Sequence, residues 1–164
     1  MVVAGCYPCF FHRGCETSLH RIGSSRPGLR RLVAQEPLGL SVQTPLLSRG
    51  ATPFLTRARL RRILAPKLGE RVLEVGPGTG YYTLDIAEQL APAGVLDILD
   101  LQQEMLDHTM RKTSERQITN IVPTQGDAQE LPYPDDTFDA AYMTVTLGEV
   151  VEQDAALREL RRVL

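Results

Sequence analysis

The sequence predicts an α/β fold organised around a parallel sheet, and three observations carry that expectation. From residue 71 onward, short apolar runs alternate with stretches of helical periodicity, as in strands joined by crossover helices. The first of these runs closes on Gly76-Pro77-Gly78-Thr79-Gly80, a glycine-rich turn leading into a helix. Acids follow the next two strands, at Asp100 and Asp127, where a parallel sheet offers a crevice to ligands.

A chain of 164 residues accommodates one domain. Its apolar fraction of 43% and charged fraction of 23% are those of an ordinary globular protein. No apolar run approaches the roughly 18 residues that a membrane-spanning helix needs. A net charge of −2 and a pI near 5.9 provide no general attraction to nucleic acid, so none is expected as a partner. The charge is unevenly spread: residues 1–35 hold Arg13, Arg21, Arg26, Arg30 and Arg31 against Glu16 alone, whereas the remainder is acidic. Residues 22–50 are rich in Gly, Ser, Pro and Arg and read as irregular, with one short helical piece at most. The chain therefore divides into a basic leader, residues 1–50, expected to be disordered, and a folded portion, residues 51–164. Cys6, Cys9 and Cys15 all lie in the leader, around His12. They crowd together with no second element for a metal to fasten, so no metal site is expected. The leader is Arg-rich and acid-poor, which leaves organelle targeting open beside a cytoplasmic default.

Order is expected to begin with a helix capped at Thr52-Pro53, since Thr caps well and Pro suits the first helical position. Phe54, Leu55, Ala58, Ile63 and Leu64 form its apolar stripe, Arg57, Arg59, Arg61 and Arg62 its solvated face, and Pro66 and Gly69 its end. Strands follow at residues 71–75, 95–99, 120–123 and 138–144, the third weakened by Pro123. Helices are expected over residues 81–90, 102–116 and from 153 to the end, the last with Ala156, Leu157, Leu160, Val163 and Leu164 on its apolar side.

The segment from Glu74 to Gly80 reads E-x-G-x-G-x-G. Glycines there permit a tight turn and close approach of a ligand, and the next helix directs its first amides at that ligand. A dinucleotide fingerprint needs its third glycine one position later, where Tyr81 stands, which disfavours a nicotinamide-dependent oxidoreductase. A phosphate loop is excluded because no Gly-Lys-Ser/Thr follows. Glu74 can position an ammonium group, directly or through water. Asp100 lies at the end of the second strand, where a carboxylate accepts from ribose hydroxyls, and its position favours it over Asp97. Asp127-Ala128 follow the third strand, where a carboxylate can accept from an adenine amino group.

Residues 70–164 resemble class I S-adenosylmethionine-dependent methyltransferases, in particular the branch that includes ubiquinone/menaquinone-biosynthesis C-methyltransferases. The matching stretches are residues 72–83 (VLEVGPGTGYYT), 100–106 (DLQQEML), 126–150 (GDAQELPYPDDTFDAAYMTVTLGEV) and 156–164 (ALRELRRVL). The resemblance implies S-adenosylmethionine as cofactor. It places Glu74, Gly76, Gly78, Thr79 and Gly80 at its methionine part, Asp100 at the ribose, Asp127 and Ala128 at the adenine, and Thr144 near the sulfonium. The fourth strand ends Met143-Thr144-Val145-Thr146, without the Asn/Asp-Pro-Pro-Tyr/Phe of enzymes that methylate amino groups of bases or glutamine amides.

The resemblance also implies a Rossmann-like sheet of order 3-2-1-4 whose strands 5–7 would follow Leu164. The fourth strand is then expected to be an uncovered edge, prone to self-association. The function implied is methyl transfer to a small organic acceptor. The alternative is an inactive cofactor-binding module that acts through a partner chain. No catalytic base is identified: His20 and His108 qualify only by type, and Tyr81, Tyr82, Glu149 and Asp154 are candidates to line the acceptor side.

Overall fold

The four strands expected from the apolar runs are all present, and a further strand comes from the leader. The computed structural model describes residues 30–35 and 55–164. Its elements are β1 (Arg31–Gln35), α1 (Arg57–Leu64), β2 (Arg71–Val75), α2 (Thr83–Leu90), β3 (Val95–Asp100), α3 (Gln103–Glu115), β4 (Ile121–Gln125), β5 (Ala140–Thr144) and α4 (Gln153–Val163). A 3-10 turn over Thr146–Glu149 joins β5 to α4. All strands pair in parallel, in the order β1-β5-β2-β3-β4. Read from β4 to β5, this is the expected third-second-first-fourth arrangement.

The correction lies beyond β5. Its edge is not open, because β1 pairs with it along Arg31↔Ala140 to Gln35↔Thr144. The described part of the leader is therefore a strand, and neither disorder nor a helical piece holds for residues 31–35. The physical reason is the triplet Leu32-Val33-Ala34, at most 1% exposed. Leu32 and Ala34 enter the core on one face of the sheet and Val33 enters the other, as suits a parallel strand covered on both sides. Three apolar residues amid Gly, Ser, Pro and Arg are too few to register as a strand until β5 offers an edge to pair with. Covering β5 also removes the basis for self-association through it. Residues 1–29 and 36–50 of the leader, with Cys6, Cys9 and Cys15, and the expected cap at Thr52-Pro53 lie outside the described residues.

One layer of helices covers each face. Val72, Ile98, Ala140 and Tyr142 pack under α1, α2 and α3 through Leu60, Leu64, Ile86, Leu90 and Leu106. Leu73, Val75, Leu99, Ala141 and Met143 pack on the other face against Phe138 and the Ala156, Leu160 and Val163 stripe of α4. Each fully buried Leu or Val contributes about 2 kcal/mol of transfer free energy. Arg162 ties α4 to the loop before β5, donating to the carbonyls of Leu131 (3.0 Å) and Tyr133 (2.8 Å) and to Asp135 and Glu159 (2.8 and 2.7 Å).

Two local expectations shift. Helix α1 starts later than Thr52-Pro53 would set, at Arg57, with Thr56 as cap: its hydroxyl accepts from the Arg59 amide at 3.2 Å. Leu60 rather than Ala58 fills its buried face, Ala58 being exposed. Pro123 does not interrupt its strand, which runs on to Gln125. β4 is the edge of the sheet, where a missing N–H can face away from the ladder.

Candidate functional site

The register sets the strand ends level with one another. Val75 lies beside Leu99 and Met143, and Asp100 beside Gln125. The glycine loop after β2, Asp100 at the end of β3, Asp127 just past β4 and Thr144 at the end of β5 therefore meet along one carboxyl-terminal edge.

The loop is shaped by its glycines and by what touches them. Gly76, Gly78 and Gly80 all have positive φ, at +72°, +52° and +74°, a region that side chains disfavour. A Cβ on Gly76 would meet Thr146 Oγ1 at 2.0 Å, so the loop after β5 can approach only because this residue is glycine. The Thr146 hydroxyl donates to the carbonyls of Gly76 (3.3 Å) and Thr144 (3.2 Å). From α3, Thr109 donates to the Gly78 carbonyl at 3.1 Å and Lys112 to that of Thr79 at 2.7 Å. A Cβ on Gly78 would meet nothing within 4 Å, so this residue faces open space. The Gly76 amide bonds to Leu99 and the Gly80 amide to Pro77. The amides of Gly78 and Thr79 make no hydrogen bond among the described residues.

The acids differ in what holds them. Glu74 is only 1% exposed, lying behind the loop on the α1–α3 face, and its Oε2 accepts from Thr83 Oγ1 at 2.6 Å. Its Oε1 is buried with no hydrogen-bond partner among the described residues. Burial pushes its pKa up to about 7, against the opposing pull of Thr83. Asp100 is half-buried, and its Oδ1 accepts from the Gln102 amide at 3.0 Å. Asp127 is exposed; its Oδ1 accepts from the Gln129 amide at 2.8 Å and both oxygens accept from that side-chain amide. Gln129 Oε1 accepts in turn from the Glu152 amide, linking this loop to the start of α4.

Other sequence candidates separate. The Ala128 methyl is packed into the α4 side of the core, which leaves its backbone for any ligand contact. Thr144 is 6% exposed, at the last position of β5. Asp97 is 1% exposed and held by Arg71 through two hydrogen bonds of 2.9 and 2.8 Å. It stands mid-strand, away from the edge, and is structural. Tyr82 is buried with its hydroxyl donating to the Leu55 carbonyl at 2.7 Å, so it does not line an acceptor side. Tyr81 stacks edge-on against Tyr82 beneath the Arg57 guanidinium. His108 meets Arg111 at 3.5 Å on α3 rather than any of the acids; His20 lies outside the described residues. Glu149 and Asp154 are exposed beyond β5.

Sequence reasoning missed Thr83, Thr109, Tyr142 and Thr146. Their types are ordinary, and only the folded chain brings Thr109 and Thr146 to the loop carbonyls and Thr83 and Tyr142 to Glu74. It also missed Val145, a β-branched residue at φ +67° directly after Thr144. Such strain tends to sit at functional edges.

Residues 72–164 match the family model of a methyltransferase domain. The chain is 36% identical over 98 residues to a demethylmenaquinone methyltransferase of Geobacillus sp., covering 58% of this chain and 41% of that one. It is 35% identical over 97 residues to the ubiquinone/menaquinone biosynthesis C-methyltransferase UbiE of Saccharophagus degradans, covering 58% and 39%. It therefore spans about two-fifths of the length of these curated relatives. Among solved structures, an S-adenosylmethionine-dependent methyltransferase from Aquifex aeolicus superposes with a TM-score of 0.61 at 28% identity, covering 65% of this chain and 57% of that one. The [4+2]-cyclase SpnF superposes with a TM-score of 0.61 at 32% identity, covering 66% and 39%. With its glycine loop and acids at the carboxyl edge of a parallel sheet, this chain belongs to the methyltransferase-domain family.

Proposed function

We propose that the carboxyl edge of the sheet binds S-adenosylmethionine and that the protein transfers its methyl group to a small organic acceptor. The observation that supports this reading most is the charge of the edge. Glu74, Asp100 and Asp127 gather at the ends of three adjacent strands, and none has a cationic partner within salt-bridge distance among the described residues. Such a donor-hungry edge suits a ligand with an ammonium, ribose hydroxyls and an adenine amino group. The free amides of Gly78 and Thr79 suit its carboxylate, and the open space above Gly78 admits its chain.

In this reading Asp100 accepts from the ribose, Asp127 from the adenine, and residues 76–80 with Thr144 hold the methionine part. When bound, the cofactor supplies an electrophilic methyl on a sulfonium. The chain's own work is to position that methyl in line with a nucleophile and to exclude water. The relatives' names point to a quinone-ring carbon as the acceptor atom, with the ring proton leaving as the new carbon–carbon bond forms. The strand β1 seated on β5 fills the edge that had suggested an inactive module waiting for a partner.

Calorimetric titration with S-adenosylhomocysteine and with NAD tests the cofactor. Saturable binding of the first and none of the second is expected. NAD binding that S-adenosylhomocysteine does not displace would sink the assignment. Methyl transfer to a reduced demethylated naphthoquinone, set against a nucleoside or peptide acceptor, tests the substrate class.

A further inference from the structure

Beneath the glycine loop, two polar side chains are buried on neighbouring strands, each with an oxygen left over. Glu74 of β2 and Tyr142 of β5 are register partners, so their side chains stand side by side on the same face of the sheet. Both are almost fully buried, and Glu74 Oε1 and the Tyr142 hydroxyl are both without a formed hydrogen bond among the described residues. Burial above all, and then the neighbouring acid, holds the phenol's pKa well above its ordinary value, while the phenol favours the ionised form of the acid; both oxygens are left without a hydrogen bond among the described residues.

Among the described residues the surroundings supply no counter-charge. Arg57 and Arg61, which α1 presents on this side, pair with Asp85 at 3.9 and 3.5 Å. Lys112 of α3 is held by the Thr79 carbonyl. Asp100 at the end of β3 repels the ionised form of Glu74, and Asp85 of α2 and Tyr82 act on Tyr142 in the same sense. A buried carboxyl with no cation keeps its proton until a cation arrives.

We propose that Tyr142 is a positioning residue for Glu74. Its hydroxyl takes the free oxygen as Thr83 takes the other, and the pair makes cofactor binding proton-linked: Glu74 gives up its proton to solvent when the ligand's ammonium settles on the loop. The proposal deepens the cofactor reading above and rests on it. The phenol keeps its own proton throughout, turning it toward Glu74 Oε1 once the carboxyl is ionised. The atoms balance as one proton released for one ammonium bound.

The test uses the whole chain and two probes. S-adenosylhomocysteine carries the ammonium, and 5′-methylthioadenosine is the same thioether nucleoside without the amino-acid end. Calorimetry at pH 6.5 in buffers of different ionisation enthalpy should show roughly three-quarters of a proton released with the first probe and none with the second. Tyr142→Phe keeps the ring; it should lower S-adenosylhomocysteine affinity about fivefold at pH 7 and raise the pH midpoint of binding by about one unit. Glu74→Gln should abolish proton release and weaken S-adenosylhomocysteine binding, leaving what remains independent of pH between 6 and 8. A Tyr142→Phe protein with an unchanged pH profile overturns the role of Tyr142. Tight S-adenosylhomocysteine binding without proton release overturns the linkage and leaves the cofactor reading standing. If neither probe binds, the cofactor reading falls with it.

Discussion

The two ends of the sheet treat charge in opposite ways. Toward the amino end, three acids have a cationic partner: Glu70 has Arg31, Asp136 has Arg30, and Asp97 has Arg71. Arg71 is also stacked over Phe138 at 5.2 Å, and its amide donates to Asp139 at 2.9 Å. At the carboxyl end, Glu74, Asp100 and Asp127 accept only from hydroxyls and amides. Both ends belong to the same strands and use the same residue types. The difference teaches that a charge whose partner is built into the chain holds the fold, whereas the acids of the carboxyl edge have no cation within the described residues, as the proposed cofactor site requires.

The largest test of that contrast is at the matched end. Arg71→Leu strands the buried Asp97 carboxylate and should cost about 4 kcal/mol of stability in denaturant unfolding. A loss below 1 kcal/mol would show that solvent already serves Asp97, and the contrast would weaken. Leu32→Ala asks whether the leader strand shares the cooperative core. It should cost about 3 kcal/mol and expose the amides of β5 to hydrogen exchange; an unchanged melt would mean that β1 is only loosely docked.

Glu74 sharpens the comparison from the other end. Its folded pKa of about 7 stands above the ordinary 4.5, so the stability this group contributes is fully present below pH 4.5 and is lost as the pH rises through 7. The loss amounts to about 3 kcal/mol at most. Glu74→Gln does not titrate, so the gap between mutant and parent should move in the mutant's favour between pH 5 and 8. A pH-independent gap would mean that the carboxyl is solvated after all. The smallest expected effect is at Asp100. Asp100→Ala should lower S-adenosylhomocysteine affinity by about 2 kcal/mol and leave the melt unchanged, because no cation depends on it. A stability loss there would move Asp100 into the structural class.

Much of this was legible from the sequence. The parallel α/β class, four strands and the turn at residues 76–80 follow from local pattern. A glycine run at a strand end and an acid at the next strand end keep their meaning whatever packs around them. Three features were decided only by the tertiary structure. Residues 31–35 become a strand because β5 presents an edge, a fact held some hundred residues away. Glu74 turns inward, and Tyr142 faces it, because the β2–β5 register places them side by side. Ala128 and Tyr82 are drawn into the core by α4 and Leu55. Local sequence determines most of the elements and sets glycines and acids at the strand ends; burial and pairing are properties of the neighbour, and only the assembled sheet supplies one.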